Sequence, residues 1–249
     1  MILVPAAIPE RAPCFRRLID LQLFPQALGG VTVEAVHAGT RAEESTGAEA
    51  VTVLLTGRAG WPGGELRPGH GLYHPAGTRY GISVGRSPAV LLTVHARPEP
   101  GPRCVLPAAR SEDGHGEHGG SVPLARRRER GELRRAGGFE GMAVHWLATT
   151  GTVGSRRLAV ATSTFVPGGT HHLHRHPAAD EFFLVLLGGG DHLTENGRVR
   201  LGQGDLAYVP AGEWHGFRTR RGVTTVALYG YLGAGSLAGA GYQVREEAA

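Results

Sequence analysis

The chain has 249 residues, 41% of them hydrophobic and 19% charged, with 40 glycines and 16 prolines against 7 phenylalanines. Its 26 basic residues are all arginine, and a net charge of +4 is too small a surplus to imply a nucleic-acid partner. Cys14 and Cys104 fall outside any metal or redox spacing. No apolar run approaches the roughly 18 residues of a membrane span, and the opening Met1 to Pro5 is too short for a signal peptide, so a cytoplasmic chain with no membrane partner is expected.

In chain order, β-like runs fall at 31–36, 51–55 and 89–94, and again at 142–147, 158–162, 182–187 and 223–229. The residues between these two sets, 99–140, are rich in proline, glycine and charge and read as a linker, with a short helix over 124–135. The expected organisation is therefore a first domain over 1–98, a linker over 99–140 and a second domain over 141–249. Ile19, Leu21, Leu23 and Phe24 give the N-terminal thirty residues an apolar pattern suited to packing across a partner.

The two halves read as distant copies. Gly204, Pro210, Gly212 and His215 share their internal spacing with Gly69, Pro75, Gly77 and Tyr80, at a constant offset of 135. Matching Gly188 to Gly57 at an offset of 131 sets Glu43, Ser45 and Ala50 opposite His174, His176 and Glu181. Only the second copy keeps a set of histidines and a carboxylate.

That set carries the chemistry. His174 and His176 lie two residues apart in a strand-like run, and alternate strand side chains share a face, so both imidazoles can meet one ion. Glu181 and His215 complete a group of neutral nitrogen and carboxylate donors suited to a divalent transition metal. The bland reading, a satisfied polar cluster in a core, is costly for a buried carboxylate. By the same alternation His172 shares the face of His174 and His176 while His171 looks outward. Phe183 and Val185 should join Glu181 on the inner wall, and Phe217 should join His215. Tyr208 and Trp214 are further candidates for a pocket wall. The remaining histidines, His192 among them, lack metal spacing and read as ordinary, with His115 and His118 in the linker candidates for adventitious metal binding only.

Gly168, His174, His176, Glu181 and Gly188, followed by Gly204, Pro210, Gly212 and His215, resemble the two sequence motifs of the cupin superfamily at every spacing. Thr219 stands where that family usually has asparagine, a departure that touches the surroundings of the metal more than its ligands. The resemblance implies an all-β fold of two tandem cupin barrels (double-stranded β-helix, or jelly-roll), the first degenerate. It implies one divalent transition metal ion per chain, held by His174, His176, Glu181 and His215. Iron(II) is the first choice, and manganese, nickel, zinc, copper or cobalt is equally compatible with the donors.

The activity implied is that of a mononuclear metal enzyme on a small enolisable or aromatic molecule, with an oxygen-dependent dioxygenase placed first. Glu181 and His172 are then the catalytic groups, and Phe183 and Phe217 the substrate contacts. A redox-neutral isomerase, cyclase or lyase is the second reading, and a non-catalytic small-molecule-binding cupin the third. A homodimer fits the habit of the family, and a small-molecule substrate is the expected partner.

Overall fold

The structure, a computed structural model, describes residues 1–4, 14–19, 25–37, 41–45, 47–98, 122–124, 132–134 and 137–245. The expected runs form strands that mostly extend beyond the apolar pattern, Gly29–Val36, Ala50–Thr56, Ala89–Ala96, Phe139–Ala148, Leu158–Arg175 and Asp180–Leu187, while the last, Thr225–Leu232, begins two residues later than expected and ends three later. Among the described residues helix is confined to two single turns, Thr150–Val153 and Leu237–Ala240. None of the described helices is long and apolar enough to cross a membrane.

All pairings among the described residues are antiparallel. The first half forms a six-stranded sheet in the order Val122–Pro123, Gly71–His74, Ala50–Thr56, Ala89–Ala96, Gly29–Val36, Cys14–Ile19. A four-stranded sheet follows the order Arg41–Ser45, Arg79–Val84, Ala59–Trp61, Gly64–Leu66. The second half repeats both orders within one continuous sheet. Ile2–Val4, Leu206–Val209, Asp180–Leu187, Thr225–Leu232, Leu158–Arg175 and Phe139–Ala148 correspond to the six strands. The far end of Leu158–Arg175 then continues through His215–Thr219 and Gly189–Thr194 to Gly197–Gly202. The two sheets fuse here because one 18-residue strand runs through both.

The turns repeat as well. Gly57 and Gly188 adopt φ of 84° and 78°, where a Cβ would sit 2.4 Å and 2.3 Å from the carbonyl oxygens of Pro88 and Thr224. Glycine is required at both. The amides of Gly69 and Gly204 bond the carbonyls of Leu54 and Val185, each at 2.8 Å.

The strand Asp180–Leu187 is apolar on both parities because it is covered on both faces. Phe182 and Leu184 pack in one core with Val33, Val53 and Leu92 of the first half, whereas Phe183 and Val185 pack in another with Phe165 and Phe217. Each such side chain taken from water contributes about 1.5–3 kcal/mol, so the halves share a substantial apolar interface.

Two expectations change. The helix over 124–135 gives way at Glu132–Arg134 to a strand, because that backbone pairs with Met142 to Val144. Residues 125–131 lie outside the described set, as do 99–121 with His115 and His118. The strand Phe139–Ala148 starts two residues before the expected boundary at 141. Leu21, Leu23 and Phe24, proposed to pack across a partner, also lie outside the described residues, and so does the side chain of Ile19.

Candidate metal centre

His174 comes from the end of Leu158–Arg175 and His176 from the residue just past that end, Glu181 from the start of Asp180–Leu187, and His215 from the start of His215–Thr219. All four are buried, and one donor atom from each lies within 4.8 Å of the others. Their spacing is set by an irregularity. Thr170 and His171 pair with Arg218 and Phe217, yet the next pair is His174 with His215, so the histidine strand carries one extra residue, a β-bulge. Gly216 allows it: a Cβ there would lie 2.6 Å from the His171 carbonyl oxygen and 2.9 Å from that of His172.

The bulge overturns the expected parity of two side chains. His171, not His172, shares the face of the ligands; its ring stacks on His174 at 3.6 Å and on Phe139 at 4.1 Å. His171 Nε2 donates to the Tyr242 hydroxyl at 3.1 Å, which donates in turn to the Gly137 carbonyl. His172 turns the other way and pairs with exposed Glu140 at 3.2 Å, so it is not brought to the donor cluster.

Each ligand ring is fixed from behind. Nδ1–H of His174, His176 and His215 donates to the backbone carbonyls of His172 (2.8 Å), Gly241 (2.6 Å) and Glu213 (2.9 Å). That selects the orientation in which Nε2 faces the centre, the usual arrangement behind a metal-binding imidazole. Nε2 of His174 and of His176 is buried without a hydrogen-bond partner. Glu181 Oε2 lies 3.3 Å from Nε2 of both His176 and His215.

The electrostatics agree. Burial would push the Glu181 carboxyl up, but the adjacent His215 charge and the close approach of the His176 and His215 rings outweigh it and hold the group well below the usual carboxylate range. Burial, reinforced by His171 and His215, keeps the His174 imidazole neutral well below its ordinary value. On His215 burial works downward, yet Glu181 reverses it and raises the group. The chemistry is that of a carboxylate and imidazole donor set, with buried nitrogens whose lone pairs are unused. A divalent ion fits it.

Two supports had no signal in the sequence pattern. Asp180 accepts from the Ala211 amide at 2.8 Å and so fixes the Pro210–Gly212 turn that delivers His215. The segment 236–245 closes over the ligand strand: Gly241 orients His176, the Ala178 amide donates to Ala240, and the Arg245 amide to Leu173. Arg175 and Arg245 lie over the Trp214 ring at 4.7 Å and 5.8 Å, so Trp214 belongs to this closure.

Phe183 and Phe217 stand on the inner face, 4.9 Å apart, and pack with Phe165. Tyr208 lies on the other face, donating its hydroxyl to Asp180 at 2.5 Å. Thr219 is buried and bonded to Thr225, Gly189 and Val223, which keeps it away from the donors. His192 lacks metal-ligand spacing in the sequence, yet it is 1% exposed inside the barrel with its ring 6.1 Å from His215. Burial lowers it to about 3.

An all-β barrel enclosing three imidazoles and one carboxylate defines a class of metal-binding fold. Residues 161–229 match the model of the cupin domain family. No curated protein sequence matches the chain. Among solved structures, an oxalate decarboxylase described for its substrate binding mode and reaction specificity switch aligns with TM-score 0.72 and 15% identity, over 98% of this chain and 79% of that one. Bacillus subtilis oxalate decarboxylase at pH 4.6 aligns with TM-score 0.68 and 16% identity, over 98% and 78%. A further structure, concerned with the Mn(II) centres of the Bacillus subtilis enzyme, gives TM-score 0.68 and 15% identity over 98% and 79%. At such identities the likeness is one of fold.

Proposed function

We propose that this chain is a mononuclear metal-dependent enzyme of two cupin barrels, with the reaction in the second. One observation carries the reading: the buried, unpartnered Nε2 atoms of His174 and His176 converge with Glu181 and His215, and every ring is oriented by a backbone carbonyl. Leaving such nitrogens unpaired costs about 1–3 kcal/mol each, which an ion recovers.

His174, His176 and His215 hold the ion. Glu181 completes the set or, released from it, takes a proton from substrate. When bound, a divalent ion supplies a Lewis acid that stabilises carboxylate or enolate oxygen. The apolar floor of Phe183 and Phe217 keeps water from that face of the site and limits the ligand to a small molecule.

The substrate class is a small organic acid or enolisable molecule. A redox-neutral cleavage or isomerisation gains support from the likeness to oxalate decarboxylases. Manganese joins iron as a leading metal, given the Mn(II) centres of one neighbour. Support for two barrels comes from the repeated strand order and the matched turns. Ala50 pairs with His74 as Glu181 pairs with Val209, and Tyr80 pairs with Glu44 as His215 pairs with His174, which sets Glu44, not the expected Glu43, opposite His174. The first copy thus has alanine and tyrosine in place of two ligands, so one ion per chain is expected.

The test is turnover of a panel of small carboxylic acids and β-diketones by protein loaded with manganese or iron, with oxygen uptake recorded. Equal turnover under strict anaerobiosis supports the redox-neutral version. Oxygen uptake matched to substrate loss restores the dioxygenase. No turnover of any candidate by fully loaded protein favours a binding role.

A further inference from the structure

We propose that His192 fixes a small monoanionic oxygen ligand, a carboxylate or enolate, beside the metal centre by a neutral hydrogen bond. This rests on the metal-centre reading and adds a substrate-positioning residue to it.

The strand Gly189–Thr194 alternates cleanly at this point. Asp191 faces outward, 3.4 Å from Arg198 and 3.6 Å from Arg200, and His192 therefore faces in. His192 pairs with Phe217 on one side and Val199 on the other, one rung along the inner wall from His215. Its ring is within 9° of parallel to that of His215 and meets Phe183 at 6.3 Å.

Its Nδ1 is buried with no hydrogen-bond partner. Phe183, Phe217 and Val199 offer none, and an apolar side chain would fill this space without leaving a polar atom unpaired. The unpaired nitrogens of His174 and His176 belong to the donor set; that of His192 does not, and needs a different partner.

Charge narrows what that partner is. Glu181 is the one carboxylate of the donor set. The chain has no lysine, and among the described residues no arginine is buried. A divalent ion against one carboxylate leaves a single positive charge, which a monoanion balances and a dianion overshoots in a poorly solvated interior. A buried imidazole stays neutral for the same reason, and so contributes an N–H without adding charge.

The experiment uses the full chain loaded with Co(II), whose visible bands report changes at the ion. Native protein, His192→Phe and His192→Gln are titrated with acetate, with acetamide as a neutral control and sulfate as a dianion, and cobalt is counted in each. Acetate should shift the native spectrum while acetamide and sulfate do not. His192→Phe should retain one cobalt per chain and bind acetate about tenfold more weakly, the loss of one neutral hydrogen bond, and His192→Gln should recover part of it. His192→Leu serves as the apolar variant if the larger ring prevents folding. Unchanged acetate affinity in the apolar variant, or sulfate displacing acetate from native protein, would overturn the proposal. Native protein that holds no cobalt would instead remove the metal centre, and this inference with it.

Discussion

Asp180 and Glu49 occupy equivalent places in the two halves and each grips the other half. Asp180 accepts from the Leu28 amide at 2.6 Å and the Tyr208 hydroxyl at 2.5 Å. Glu49 accepts from the amides of Arg156 and Arg157 at 3.1 Å and 3.0 Å and from Ser155 Oγ at 3.0 Å, with Tyr73 hydrogen-bonded to it. The carboxylates are 131 residues apart and the tyrosines 135, the same offsets that relate the glycine turns. Both phenols are raised, by burial first and by the adjoining carboxylate second.

These staples should be measurable in stability. Asp180→Ala strands the Leu28 amide and Tyr208 hydroxyl and should cost about 2–4 kcal/mol. Glu49→Gln, at a less buried site, should cost about 1–2 kcal/mol. Urea denaturation checks both; losses under about 0.5 kcal/mol in each would show that the apolar interface alone joins the halves.

The bulge makes adjacent histidines inequivalent. His172→Ala removes one partly exposed contact with Glu140 and should change stability by less than about 1 kcal/mol, with metal content intact. His171→Ala removes the ring stacked on His174 and should weaken metal retention. Gly216→Val drives a Cβ into two carbonyl oxygens and should cost about 2–3 kcal/mol and the ion as well. Elemental analysis of the three variants after dialysis checks the order; His172→Ala losing metal while His171→Ala keeps it would restore the parity expected from simple alternation.

His74 gives the first half its own pH dependence. It is fully buried, stacked on Tyr80 at 3.6 Å and bonded to Thr52 at 3.1 Å, and burial lowers it to about 4. A depressed histidine contributes stability that is complete above its unfolded value near 6.5 and is lost as pH falls toward about 4. The loss should reach up to about 3 kcal/mol. Denaturation midpoints between pH 7 and 4 should fall less steeply for His74→Phe than for native protein; parallel slopes would contradict this.

An ion that binds only the folded chain raises its stability. Manganese or iron at about a hundredfold over its dissociation constant should add about 2.7 kcal/mol. The thermal midpoint of native protein should rise with metal and fall back with chelator. Glu181→Gln, which lacks the charge, should respond far less. A rise of equal size in both would place the ion elsewhere.

Much of this was legible in sequence because it depends on spacing along one chain. Glycine turns, apolar strands and the four ligands follow from local pattern, and Phe182 to Val185 announce a strand covered on both faces. The parity of His171 and His172 was not legible, because a bulge is a property of two strands and its cause, Gly216, sits on the other one. His192 escaped for a related reason: it has no ligand spacing, and only the closed barrel brings it beside His215. The Gly241 carbonyl behind His176 is backbone, and backbone partners leave no mark on residue identity.

The most direct test loads the protein with Mn(II), removes the excess and combines elemental analysis with pulsed electron paramagnetic resonance. One manganese per chain is predicted, with imidazole nitrogen couplings that in a His174→Ala, His176→Ala double variant are lost together with the metal or reduced to those of His215 alone. Native protein that retains no manganese, or couplings unchanged in the double variant, would contradict a centre built from His174, His176, Glu181 and His215.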